Sequence, residues 1–134
     1  MKRRTLVIDA SAAVHLVSAD GELTQLMAYR LIAPELLWSE ALAAFRAAAW
    51  RGELSETDAA IARQRLNSLP IESRSDAELR EVAWQVATSL GWAKTYDAEY
   101  IALARLLGVP LLTVDARLRR GAASVVTIVG PTEL

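Results

Sequence analysis

The sequence predicts an α/β fold, with a parallel sheet covered by helices on both faces. Three observations carry this reading. Short apolar, β-branched runs occur at Leu6-Val7-Ile8, from Val109 to Val114 and from Val125 to Val129, as expected of buried strands. Each run is closed by a strand-stopping residue: Asp9, Asp115 or Gly130-Pro131. Between them lie longer segments with apolar residues at helical spacing, so strands and helices alternate. With 134 residues, 53% of them hydrophobic, the chain fits a single domain over residues 1–134.

The elements follow in order. Leu6-Val7-Ile8 is the first strand. Ser11 is placed to cap a short helix through about Ser18. Asp20-Gly21 reads as a turn, and Glu22 to Arg30 as a second helix. Leu31-Ile32-Ala33 has room only for a very short strand. Pro34 suits the first position of a long helix, because its missing N–H would be unpaired there. That helix runs to Arg51 and stops at Gly52. Ser55 caps the next, which ends near Ser68, and Pro70-Ile71-Glu72 suggests a short strand. Ser75 caps a helix through Leu90, stopped by Gly91. A last long helix runs from about Tyr96 to Leu107, stopped by Gly108, before the two remaining strands.

Composition narrows the function classes. Formal net charge is −1, so no bulk electrostatic pull toward nucleic acid or anionic lipid exists, and any such contact needs a local basic patch. The absence of cysteine excludes disulfides, thiolate ligands and cysteine nucleophiles. The basic, apolar start imitates an export signal, but Asp9 interrupts the run within a few residues. No stretch approaches the roughly 20 apolar residues of a membrane span. The expectation is a cytoplasmic protein with no membrane partner.

Four acids stand where acids are costly. Asp9 and Asp115 each follow a buried strand directly, and ligands of open parallel sheets gather outside the strands' carboxyl ends. Glu40 shares a helix face with Leu36, Leu37, Ala41, Ala44, Phe45 and Ala48. A carboxylate on such a stripe needs a partner or a cation. Asp97 opens the last long helix, where an acid also suits the dipole. It is preferred to Glu99 because Ile101, Ala104 and Arg105 follow it at helical spacing. Two carboxylates about 5 Å apart repel by roughly 3 kcal/mol at an effective dielectric of 20. Clustered acids therefore protonate, separate or share a cation. Oxygen ligands, without cysteine and with a single histidine, favour Mg²⁺ or Mn²⁺. Such sites commonly carry out phosphoryl-transfer chemistry.

At these residues the chain resembles the PIN-domain ribonucleases, and most of all the VapC-type toxins of bacterial toxin–antitoxin pairs. The matching pieces are Val7-Ile8-Asp9-Ala10-Ser11, Pro34-Glu35-Leu36-Leu37-Trp38-Ser39-Glu40, Tyr96-Asp97-Ala98-Glu99-Tyr100-Ile101-Ala102-Leu103-Ala104 and Leu112-Thr113-Val114-Asp115, in order along nearly the full length. The resemblance implies a three-layer α/β/α sandwich with a central, mostly parallel sheet. It implies that Asp9, Glu40, Asp97 and Asp115 form an acidic, catalytic metal site, supported by Ser11 and Thr113. It further implies Mg²⁺- or Mn²⁺-dependent endonucleolytic cleavage of RNA, by attack of an activated water on a backbone phosphate. The implied partners are a small antitoxin and a second copy of the chain. Members often carry Asn three residues after the helix acid, and here that position is Ala43.

Other residues are weighed alongside. Arg117, Arg119 and Arg120 follow Asp115 closely and are candidates for gripping substrate phosphates, as are Arg46 and Arg51 after Glu40. Of the four tryptophans, Trp38 lies beside the acid-bearing turn and is the best candidate for stacking on a base. His15 reads as a packed or surface residue of the first helix. Two other readings stand beside the nuclease: a binding protein on a decayed PIN-like scaffold, suggested by Ala43, and a phospho-acceptor signalling module. The latter usually wants a second acid beside the first-strand Asp and a Lys after a later strand; Lys94 instead precedes a helix.

Overall fold

The computed structural model describes residues 3–18 and 23–134. Five strands, β1 (Arg4–Ile8), β2 (Tyr29–Pro34), β3 (Ile71–Arg74), β4 (Leu111–Leu112) and β5 (Ile128–Val129), form one sheet in the order β3-β2-β1-β4-β5. All four pairings are parallel. Among the described residues, seven helices flank it: α1 (Ala10–Ser18), α2 (Leu23–Leu26), α3 (Leu36–Trp50), α4 (Glu56–Ser68), α5 (Ala77–Leu90), α6 (Tyr96–Leu107) and α7 (Ala116–Ala122). The α/β/α arrangement is the expected one. A 3-10 turn at Pro131–Glu133 follows β5.

The central strand explains the layering. Val7 and Ile8 are fully buried, as a strand sandwiched between helices requires. On one side α1, α3 and α4 pack together; elsewhere α5 packs on α6, which lies on β1, β2 and β4. Ile101, Ala102 and Leu103 of α6 are fully buried and join the strands in one continuous core. Ser55 caps α4 by accepting from the Asp58 N–H at 3.1 Å, as expected. Gly91 and Gly108 end α5 and α6 at φ 69° and 64°, the left-handed conformation that glycine adopts without penalty.

Several boundaries differ from the sequence reading. Asp9, not Ser11, caps α1, its carboxylate accepting from the Ala12 N–H. Asp76, not Ser75, caps α5. Pro34 ends β2 instead of opening α3, because its register against Arg74 continues the sheet. Tyr29 and Arg30 leave the second helix for β2, drawn by pairing with Arg4 and Thr5. The Asp20-Gly21 turn lies outside the described residues. No described helix is long and apolar enough to cross a membrane.

Candidate active site

From β1 the chain moves outward to β2 and β3, then returns to lay β4 on the opposite side of β1. The order reverses between β1 and β4, and a crevice opens there beyond the strands' carboxyl ends. Asp9 and Thr113 stand at its two lips. The Asp9 N–H donates to Leu112 O, and the Thr113 N–H to Val129 O.

Asp9 is held by three donors. Ser11 Oγ and the Ala12 N–H reach Oδ1 at 2.8 and 2.9 Å, and Thr113 Oγ1 reaches Oδ2 at 2.5 Å. The Thr113 hydroxyl also accepts from the Asp115 N–H at 3.0 Å, and Ser11 Oγ accepts from the Val114 N–H at 3.2 Å. Two hydroxyls thus tie the end of β1 to the loop after β4. Burial nonetheless dominates: the Asp9 carboxyl is pushed up to about 6, against its hydrogen bonds and with a further push from Asp115. Asp115 itself caps α7, accepting from the backbone N–H groups of Arg117 and Leu118.

Glu40 arrives from the second turn of α3 and Asp97 from the first turn of α6. The buried Tyr100, three residues after Asp97, donates its hydroxyl to Glu40 Oε1 at 2.5 Å. Burial raises both carboxyls above their ordinary range; Asp97 adds to the rise at Glu40, and Asp115 to that at Asp97. Arg117 works the other way on Asp97. Glu99 is likewise raised, first by burial and then by Glu40. The acids form a chain of neighbours, Asp9 to Asp115 to Asp97 to Glu40, and not a tight knot. Among the described residues, no three His, Asp or Glu side chains are arranged to hold a metal ion by themselves. The donor set is all hard oxygen, and it suits a cation that keeps several waters and meets only one or two carboxylates, as Mg²⁺ does. A dication at the crevice would also relieve the raised carboxyls.

Beside these acids lies a cleft of about 660 Å³, lined by Glu40, Trp92, Lys94, Tyr96, Asp97 and Arg117 among others. Arg117 is the one of the three candidate arginines that lines it. Arg119 is fastened to Glu133 by a two-pronged ion pair, its Nη2 at 2.8 Å from Oε2. Arg51 is similarly paired with Glu53. Trp38 packs half-buried against the core and donates Nε1–H to Ser73 Oγ at 2.6 Å, so its indole is committed elsewhere. Ala43 and Arg46 line a different cleft of about 640 Å³, between α3 and α4.

Residues 6–123 match the family model described as PIN domain. The chain belongs to the PIN-domain family. This PIN domain is 37% identical over 114 residues to ribonuclease VapC9 of Mycobacterium tuberculosis, covering 84% of this chain and 87% of that protein. It is equally 37% identical over 121 residues to ribonuclease VapC1 of the same organism, covering 84% and 86%. Among solved structures, the PIN domain superposes on PAE2754 from Pyrobaculum aerophilum with a TM-score of 0.75 at 25% identity, over 96% of this chain and 85% of that one. The fold is also shared with VapBC2 from Rickettsia felis, solved bound to a DNA fragment from its promoter. That match has a TM-score of 0.67 at 13% identity and covers 94% and 98% of the two chains.

The sequence reading passed over Tyr100, which it took as part of a family motif without a role of its own. Its signal was available: it lies three residues after Asp97, on the same helix face. Trp92 and Lys94 carried no spacing signal toward the acids, because the loop between α5 and α6 brings them there.

Proposed function

We propose that this chain is a divalent-metal-dependent endoribonuclease, the toxin of a VapBC-type toxin–antitoxin pair, acting in the cytoplasm. The observation that carries the reading is the rim of raised carboxyls, Asp9, Glu40 and Asp97, next to Asp115 at the β1/β4 crevice. Two curated relatives named as VapC ribonucleases add the substrate class. Asp9, Asp97, Asp115 and Glu40 would hold Mg²⁺ or Mn²⁺. When bound, such an ion would supply an acidified water and neutralise charge on the scissile phosphate.

The rest falls to the chain's own groups. Ser11, Thr113 and the Ala12 N–H fix both Asp9 oxygens, so the carboxylate is oriented before substrate arrives. Tyr100 holds one oxygen of Glu40 and leaves the other available. Arg117, on the cleft wall, offers a cation to a backbone phosphate. The Leu42- and Phe45-lined cleft between α3 and α4 is an apolar surface that a small antitoxin's helix would cover. A homodimer is part of the same reading. Ala43 lines that second cleft.

Incubating the purified chain with mixed cellular RNA, with Mg²⁺, with Mn²⁺ and with excess chelator, tests the proposal. Metal-dependent cuts at defined positions, lost in Asp9→Asn, are expected. Undiminished cutting in chelator, or full activity in Asp9→Asn, overturns it.

A further inference from the structure

Tyr96, at the start of α6, is 59% exposed although it is a large aromatic residue. It opens onto the cleft of about 660 Å³ that begins at Glu40 and Asp97. That volume lies in the range of roughly 300–1,000 Å³ typical of sites that enclose a small ligand. A second aromatic, Trp92, lines the same cleft from the loop after α5. Its seat depends on Gly121 of α7, where an added Cβ would stand 3.1 Å from Trp92 Cζ2. The remaining walls carry Lys94 and Arg117, neither of which joins an ion pair among the described residues. The cleft therefore combines two aromatic side chains, two cations and direct continuity with the acidic rim.

We propose that this cleft is a nucleobase subsite: Trp92 and Tyr96 receive one unpaired base of a single-stranded RNA, while Lys94 and Arg117 grip the adjoining phosphate. The inference rests on the ribonuclease reading and adds how that substrate is held. Every base has a π-face, so aromatic stacking binds single strands with little sequence preference, and it needs a base free of its neighbours. A base seated here lies next to the phosphate presented to Glu40 and Asp97, so the subsite sets which bond reaches the acids.

The test uses the Asp9→Asn chain, expected to hold RNA without cutting it, and fluorescence anisotropy. The probes are a random-sequence single-stranded RNA of about a dozen nucleotides, an abasic strand of the same backbone length, and the RNA annealed to its complement. Adding Tyr96→Ala should weaken single-strand binding by on the order of tenfold and leave abasic binding unchanged. Tyr96→Phe should restore most of the loss, and the duplex should bind more weakly than the single strand. Lys94→Ala should lower affinity for RNA and abasic strand alike, with a shallower salt dependence. Because Tyr96 is exposed, an unchanged melting temperature excludes misfolding as the cause. Equal affinity of the Tyr96→Ala chain for RNA, an equal loss on the abasic strand, or preference for the duplex overturns the subsite. Cleavage by the unsubstituted chain, run in parallel, separates the two failures. Intact cleavage with an indifferent Tyr96 removes only the subsite, whereas neither cleavage nor RNA binding removes the ribonuclease reading with it.

Discussion

Replacing Asp9 by Asn should make the metal-free protein more stable while abolishing its chemistry. Asp9 is 4% exposed, and its carboxyl rises from an ordinary value of 3.8 to about 6. That rise makes the ionised form cost about 3 kcal/mol in the folded state. Screening by solvent removes little of this at a buried site. The folded state holds the Asp9 proton more tightly than the unfolded chain does. Stability therefore falls as pH rises from about 4 to about 6 and is level above that. Asparagine carries no such charge. It can still accept from Ser11 and the Ala12 N–H, but it must turn an amide N–H toward Thr113 Oγ1. That rearrangement offsets about 1 kcal/mol, leaving a net gain of about 2 kcal/mol at pH 7.5. For a chain of this length the melting temperature should rise by roughly 6–10 °C. The gain should shrink toward zero near pH 4. Differential scanning calorimetry in chelator, at several pH values, measures it. Repeating the scan in Mn²⁺ should raise the melting temperature of the unsubstituted chain and not that of the variant. A variant less stable at every pH, by a constant margin, would refute the reasoning.

Other perturbations address separate parts of the site. Tyr100→Phe removes the hydroxyl that donates to Glu40, and should cost about 1–2 kcal/mol in stability and lower kcat about tenfold with KM little changed, read by denaturant melts and steady-state cleavage. Arg117→Ala should reduce the salt slope of RNA binding by about one. Arg119→Ala should leave that slope unchanged and instead speed amide exchange at Gly130, whose N–H donates to the Glu133 that Arg119 holds. Gly108→Ala meets no atom within 4 Å but demands φ 64° of alanine, so it should cost about 1 kcal/mol through the backbone alone, with cleavage unaffected.

The parts of this architecture that depend on local chemistry were readable in the chain. An acid immediately after a buried β-branched run places itself on the sheet's rim, and helical spacing turned Glu40 and Asp97 inward. What escaped depends on distant neighbours. Asp9 and Ser11 are both good caps two residues apart, and Asp9 prevails because α1 begins at Ala10, directly after β1. The apolar runs around β4 and β5 are longer than the strands, because ladders extend only where a neighbour exists: Leu111-Leu112 faces Val7-Ile8 on one side and Ile128-Val129 on the other. The short α7, rich in arginine, offered too few apolar positions to show a period. Trp92 and Lys94 reach the cleft from a loop whose position is set by the packing of α5 on α6.

The distribution of the acids along the polypeptide also sets a timetable. Asp9 and Glu40 leave the ribosome before Asp97 and Asp115, and β4 must insert beside β1 before Thr113 can clasp Asp9. A half-translated chain therefore carries only part of the rim, and lacks the loop that lines the neighbouring cleft. For a protein proposed to destroy RNA, competence waits until Asp115 has been made and β4 has docked beside β1.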